Sequence, residues 1–287
     1  MTSPSQKHLP SLDVLISTCN ERIAKVVDMN LQVIPGVSYV ISHQRFEEVD
    51  PSVIKAAEDF CAYRDDVTLI TIQSKGAGAN RNNALDSATA DLCLITDDDV
   101  VFDASAIQQI QHLYQDHPDL DFIAFRMVDK EHRSIKNYPE SDLPLRPIGK
   151  RHESASIWGP EISFRRKAVL ENGIRFNELI GVGSNLPVGE DTLFAVHCFE
   201  HGLRMAFSDL VILQCPNFHT NLKEDPRTWT ARGVVWPRVF GFGPGFLMIF
   251  LRLLALLFQA GPVKPIYPGF LFTKGVFAYC FKYRKLL

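Results

Sequence analysis

Four short apolar runs, LDVLIS (12–17), VSYVIS (37–42), VTLITI (67–72) and DLCLIT (91–96), are each separated by a segment of helical character. Ile23, Val26, Val27 and Leu31 repeat at helical spacing after Asn20, a candidate cap. Asp50-Pro51 forms an N-cap and first-turn pair that opens a helix through Tyr63, and Gly76 and Gly78 precede a short helix at about 80–88. Strand and helix in alternation predict an α/β fold with a mostly parallel sheet flanked by helices. Further helices are expected at about 104–116 and 191–201, with a strand at about 120–128. Residues 129–160 are polar and carry Pro139, Pro144, Pro147 and Pro160, as a surface excursion or lid would.

In a sheet of this kind ligands bind beyond the carboxyl ends of the strands. Four loops meet that edge: Thr18-Cys19-Asn20, His43-Gln44, Lys75 to Arg81, and Asp97-Asp98-Asp99. Three consecutive carboxylates repel one another unless a cation is shared, and hard oxygen ligands suit Mg²⁺ or Mn²⁺. Mg²⁺ is usually held by one or two carboxylates together with substrate phosphates, so the Asp run points to a diphosphate as co-ligand. A solvated acidic turn at the next helix N-terminus would also accommodate it. Gly76 lets backbone approach a ligand, while Lys75 and Arg81 bring positive charge to the same edge. Glu190 and Asp191 open a helix after a Gly-rich loop, where either would serve as a general base or as a cap. His219, after a strand-like stretch at 207–215, is a further candidate metal ligand.

Composition narrows the partners. A net charge of -3 and a pI near 6.3 argue against a nucleic-acid binder, which needs a basic surface. Six scattered cysteines without CxxC spacing read as reduced and structural. The polar opening MTSPSQKHLP lacks the pattern of a secretory signal, which predicts a cytoplasmic location. Residues 226–287 hold nine Lys or Arg and no Asp or Glu, leaving 21 basic against 33 acidic residues in 1–225. They also hold 14 of the 30 aromatic residues, a mixture suited to an anionic lipid interface. Within them, 239–260 has the length of a bilayer span. About ten Leu, Ile and Phe contribute roughly -3 to -6 kcal/mol against about +2.5 to +3.5 kcal/mol for Arg252, before the cost of Pro244 and its glycines. That balance favours a partly inserted, monotopic helix over a full span or a buried helix packing on the catalytic domain.

The segments DVLISTCNER, GAGANRNNAL, LITDDDVVF, EISFRR and GEDTLF, in that order and spacing, resemble the inverting glycosyltransferases of family 2 with the GT-A fold. The likeness covers about residues 11–220 and is nearest to bacterial enzymes of surface-polysaccharide biosynthesis. The resemblance implies a nucleotide-sugar-binding half at 11–103 and an acceptor-binding and catalytic half of the same domain at 104–225, while composition marks 226–287 as a basic, aromatic membrane-associating region. The resemblance further implies that Thr18, Asn20, Glu21 and Gln44 line the nucleotide pocket with Arg81 nearby. Asp97, with Asp98 beside it, would touch the donor, and Asp99 together with Asp97 the metal, with His219 as the late metal ligand. Asp191 would be the base, with Trp158, Glu161 and the 181–189 loop facing the acceptor.

The implied reaction moves a sugar from a nucleotide-diphosphate donor, UDP being the commonest, to a saccharide acceptor linked to lipid at the inner face of the cell membrane. Ser42-His43-Gln44 stands where many relatives place an acidic residue that reads the base. The Gln-x-x-Arg-Trp signature of processive synthases is absent, which predicts one sugar per encounter. Competing readings are a sugar nucleotidyltransferase and a catalytically inactive membrane-docking module.

Overall fold

The computed structural model describes residues 9–139, 144–216, 225–241, 243, 247, 266–284, 286 and 287. His219 lies outside the described residues, as does most of 239–260.

The first half is the alternation expected from the apolar runs. Strand β1 (Leu12–Cys19) leads through a short 3-10 turn into α1 (Ile23–Asp28), then β2 (Val37–Arg45), α2 (Pro51–Ala62), β3 (Val67–Gln73), α3 (Ala77–Ser87) and β4 (Leu92–Asp97). Leu12 to Ile16 and Leu92 to Ile95 are buried along their whole length, because helices cover both faces of the sheet. The Asp50 carboxylate accepts from the Ser52 N–H at 2.8 Å and starts α2, as Asp50-Pro51 predicts. Asn20 does not cap α1. Its backbone is left-handed (φ 45°), and its Oδ1 instead accepts from the N–H groups of Phe46 and Glu47.

The second half comprises β5 (Val101–Phe102), α4 (Ala104–Asp116), β6 (Phe122–Val128), β7 (Leu145–Pro147), β8 (Ile162–Arg165), α5 (Arg166–Glu171), α6 (Glu190–Glu200) and β9 (Met205–Gln214). All nine strands form one sheet in the order β3-β2-β1-β4-β8-β6-β9-β5, with β7 also on β9. Pairing is parallel from β3 through β4 and turns antiparallel where β8 enters between β4 and β6. The parallel character therefore belongs to the first half, and the whole is a mixed, curled sheet. The strand order reverses between β1 and β4, where Ser17 lies opposite Asp97, and that reversal opens a crevice at the carboxyl edge.

One core cluster lies under α1, α2 and α4, and a second under α3, α5 and α6, where the Phe176 and Phe194 rings stack with centroids 4.0 Å apart. A third joins α6 to α7 (Arg227–Phe240), with Ala231, Val234 and Val239 fully buried. Thus α7, part of the predicted membrane-associating region, is packed into the catalytic body. The helix α8 (Ile266–Ala278) and the π-helical turn Tyr279–Tyr283 lie against α7. Their crossing is closed by Gly233 and Gly275, since a Cβ on the first would strike the Phe272 carbonyl and one on the second the Thr230 carbonyl. Gly275→Ala is expected to cost about 1–3 kcal/mol through overpacking, read as a lowered urea midpoint. Among the described residues no helix is long and apolar enough to cross a membrane.

Candidate active site

The acid run at the end of β4 divides its labour. Asp98 turns inward and is 2% exposed, accepting from Thr18 Oγ1 at 2.6 Å and from Arg22 Nε at 3.0 Å, with Arg22 Nη2 on its other oxygen. Burial pushes its carboxyl upward in pKa, opposed by Arg22 and Thr18. Asp97 and Asp99 remain about two-fifths exposed, Asp99 with Arg22 at 3.1 Å and Lys25 at 3.9 Å. Arg22, which the sequence reading did not single out, is therefore the cation that holds this run in shape. Its signal was its place one residue after Glu21 at the same edge.

Arg81 reaches from α3 into the centre of the site. Its guanidinium is 5% exposed and meets Asp97 Oδ1 at 3.4 Å, Glu190 Oε1 at 3.4 Å, and Asp191 in direct ion contact. The face of Phe176 lies 5.5 Å from its central carbon. Glycine at 159 is required here, since a Cβ there would strike the Arg81 guanidinium. One cation thus links the end of β4 to the start of α6.

Asp191 sits in the first turn of α6, where Oδ2 accepts from the Gly159 N–H at 2.7 Å. Burial pushes its carboxyl up to about 6, with Arg81 pulling it down and Glu190 adding to the rise. The turn into α6 needs Gly189 in the left-handed region (φ 115°), with Val235 of α7 pressed against it. Glu190 is more enclosed, held against Gly181 of the preceding loop. Asp191 lines a cavity of about 870 Å³ whose lining also includes Lys136 and Trp158 and, from α7, Val235, Trp236 and Phe240.

The residues that the sequence assigned to the donor pocket share one edge and brace one another. The Gln44 amide donates to Ser74 Oγ (2.8 Å) and Gly76 O (3.0 Å) and accepts from Gly76 N (3.1 Å). Lys75 Nζ stands 4.9 Å over the Phe46 ring. Glu21 accepts from the Asp50 N–H, and Asn80 donates to the Thr18 carbonyl.

The two residues assigned to the acceptor differ in placement. Trp158 lines the cavity, whereas Glu161 is fully buried behind it. Glu161 accepts from Lys136 Nζ at 2.6 Å, Tyr138 OH at 2.5 Å and Trp158 N at 3.0 Å, and Lys136 stands 4.5 Å over the Trp158 ring. Burial pulls the Lys136 pKa down while Glu161 raises it. Glu161→Gln keeps the shape but leaves the ammonium without its countercharge, and about 1–3 kcal/mol of stability should be lost in chemical denaturation.

Among the described residues no three His, Cys, Asp or Glu side chains form a ready cation cage. Asp97 and Asp99 do offer two hard, partly exposed carboxylates at the crevice. Two such ligands fit a Mg²⁺-type ion whose remaining positions are filled by phosphate and water.

Residues 50–174 match the model of glycosyl transferase family 2. Among solved structures, S. aureus TarS 1-349 is similar over 96% of this chain and 73% of that one, at 14% identity and a TM-score of 0.56. The same protein in complex with UDP-GlcNAc is similar over 96% and 74%, at 14% identity and 0.56. The longer S. aureus TarS chain is matched over 88% of this chain and 44% of that one, at 12% identity and 0.54. No curated protein sequence matches.

Proposed function

We propose, from the premise that this chain is a nucleotide-sugar glycosyltransferase of family 2 with the GT-A fold, that it inverts the anomeric centre of a UDP-sugar and builds on a lipid-linked saccharide at the inner face of the cell membrane. The observation that carries the mechanism is Asp191, on the wall of the cavity and tied through Arg81 to the Asp97 that closes β4. A carboxylate so placed takes the proton of an acceptor hydroxyl as its oxygen attacks the anomeric carbon. The carbon–oxygen bond to the nucleoside diphosphate breaks on the opposite face, and the bonding electrons leave with the diphosphate.

Asp97 and Asp99 would hold a Mn²⁺ or Mg²⁺ ion, which supplies charge neutralisation for the departing diphosphate. Arg81 keeps Asp191 oriented and lowers the energy of its ionised form. Lys136 and Trp158 form the polar and aromatic side of the cavity, suited to a sugar face. Val235, Trp236 and Phe240 form an apolar side, suited to the hydrocarbon of a lipid-linked acceptor. The UDP donor is supported by a structural neighbour crystallised with UDP-GlcNAc. Membrane placement is supported by the acid-free, aromatic composition of 226–287.

Thermal unfolding with UDP, GDP, CMP or dTDP, each with and without Mn²⁺, tests the donor assignment. UDP with Mn²⁺ at about 100 times its Kd should stabilise the fold by about 2.7 kcal/mol, and Asp99→Ala should abolish the effect. Stabilisation by another nucleotide, or by UDP equally without metal, would replace the proposed donor site. A product that keeps the donor's anomeric configuration would end the single-displacement mechanism.

A further inference from the structure

We infer that the outward face of α8 and its π-helical continuation is the surface that seats this protein on an anionic bilayer. The inference deepens the membrane placement proposed above and rests on it. Helix α8 has two unlike faces. Phe272 and Val276, 1% and 5% exposed, turn with Gly275 toward α7. Phe270, Phe277 and Phe281 are 66%, 62% and 86% exposed. Positions 270, 274, 277 and 281 recur at helical spacing on one side, so three phenylalanines and Lys274 form a single outward stripe. The Phe277 and Phe281 rings lie parallel with centroids 6.5 Å apart, and Lys282 and Arg284 are exposed beside them.

Three large exposed rings on one short helix exceed the scattered apolar exposure of an ordinary surface. Rings flanked by cations match a bilayer interface. The rings enter the headgroup and acyl boundary, while ammonium and guanidinium groups remain among lipid phosphates. Charge selects the anionic form of that surface, because residues 226–287 contain no Asp or Glu to repel it. The geometry also gives the placement a use. Helix α8 packs on α7, and α7 lends Val235, Trp236 and Phe240, together with Thr228 and Arg232, to the lining of the cavity, so docking through α8 brings the acceptor side of the enzyme next to the lipid.

The test is cosedimentation of the full chain with vesicles of phosphatidylcholine alone and of equimolar phosphatidylcholine and phosphatidylglycerol. The native chain should pellet with the mixed vesicles and remain in solution with the neutral ones. Phe270→Ser/Phe277→Ser/Phe281→Ser, and separately Lys274→Glu/Lys282→Glu, should weaken binding at least about tenfold. All five side chains are exposed, and an unchanged thermal midpoint will show that each variant is folded.

Undiminished binding by folded variants would overturn the assignment to α8, and equal binding to both vesicles would overturn the role of charge. Failure of the native chain to bind either, with a dimer in sedimentation equilibrium that the phenylalanine variant loses, would assign the face to a second copy instead. The readout is independent of sugar transfer. A chain that binds these vesicles but turns over no donor would sink the proposed enzyme mechanism and leave this surface standing.

Discussion

Asp191→Asn is expected to lower kcat by about 10²–10⁴-fold while the affinity for UDP with metal changes by less than about twofold, because the amide keeps the shape and cannot take a proton. Glu190→Gln should cost less, since Glu190, although it also borders the cavity, has a side chain only 6% exposed and enclosed against Gly181, whereas that of Asp191 is 19% exposed. The acid limb of the pH–rate profile gives a second signature. With the Asp191 carboxyl pushed up to about 6, the base loses its charge as pH falls through that value. The native rate should drop about tenfold per unit below it. The residual rate of Asp191→Asn should lose the Asp191 share of that limb and keep only the share that Asp97, also pushed up to about 6, imposes. Steady-state kinetics with isothermal titration of UDP separates these outcomes, and a larger loss in Glu190→Gln would transfer the role to its neighbour.

Arg81→Met is expected to be the most damaging single change to the fold. It removes the one group among the described residues whose ion pairs reach Asp97, Glu190 and Asp191 together, leaving three crowded carboxylates without that cation. Breaking a buried ion pair from one side costs about 3–5 kcal/mol. The loss should depend on pH in a definite sense. Carboxylates whose folded pKa is raised oppose folding where they are ionised, above that pKa, and cease to oppose it as pH falls toward their unfolded value. Burial already pushes Asp97 and Asp191 up to about 6 with Arg81 present, and its removal raises both further. The variant should therefore be weakest at neutral pH and recover part of its stability near pH 5, read by urea denaturation. A loss that did not vary with pH would mean that Arg81 acts by packing on Phe176.

What could be read in advance follows burial and chain locality. The strands β1, β2 and β4 were legible because both faces of the sheet are covered there, which writes each strand as an apolar run, whereas β3, half-exposed at the sheet edge, showed through the β-branched and apolar residues of VTLITI. Helix α4 lies where a helix at about 104–116 was expected, and the Asp103 carboxylate caps it. The carboxylates of the site stood out because Asp97 to Asp99 and Glu190-Asp191 occur at element ends, where their charge needs a purpose. Strand β8, with four residues, was too short to show a period, so the antiparallel turn of the sheet was not visible.

Other misses were matters of partner. Asn20 has the chemistry of a cap, and only the approach of Phe46 and Glu47 from a distant loop redirects it. Glu161 looks like a binding residue until Lys136 and Tyr138 are seen to enclose it. An apolar stripe beside arginines, as in α7, suits lipid and protein core equally, and only the arrival of α6 decides between them. Of the six cysteines read as structural, Cys93 and Cys198 are buried in the core, whereas Cys280 is exposed.

The glycine crossing of α7 and α8 bears on how the α7 lining of the cavity could be exchanged between similar proteins. Backbone meets backbone there at Gly233 and Gly275, so neither helix has a side chain to trim in accommodating a foreign partner. A chimaera that imports α7 alone would carry a new cavity wall onto a support that does not mesh with it. The transplantable unit is the pair, moved as one cassette together with the segment between them.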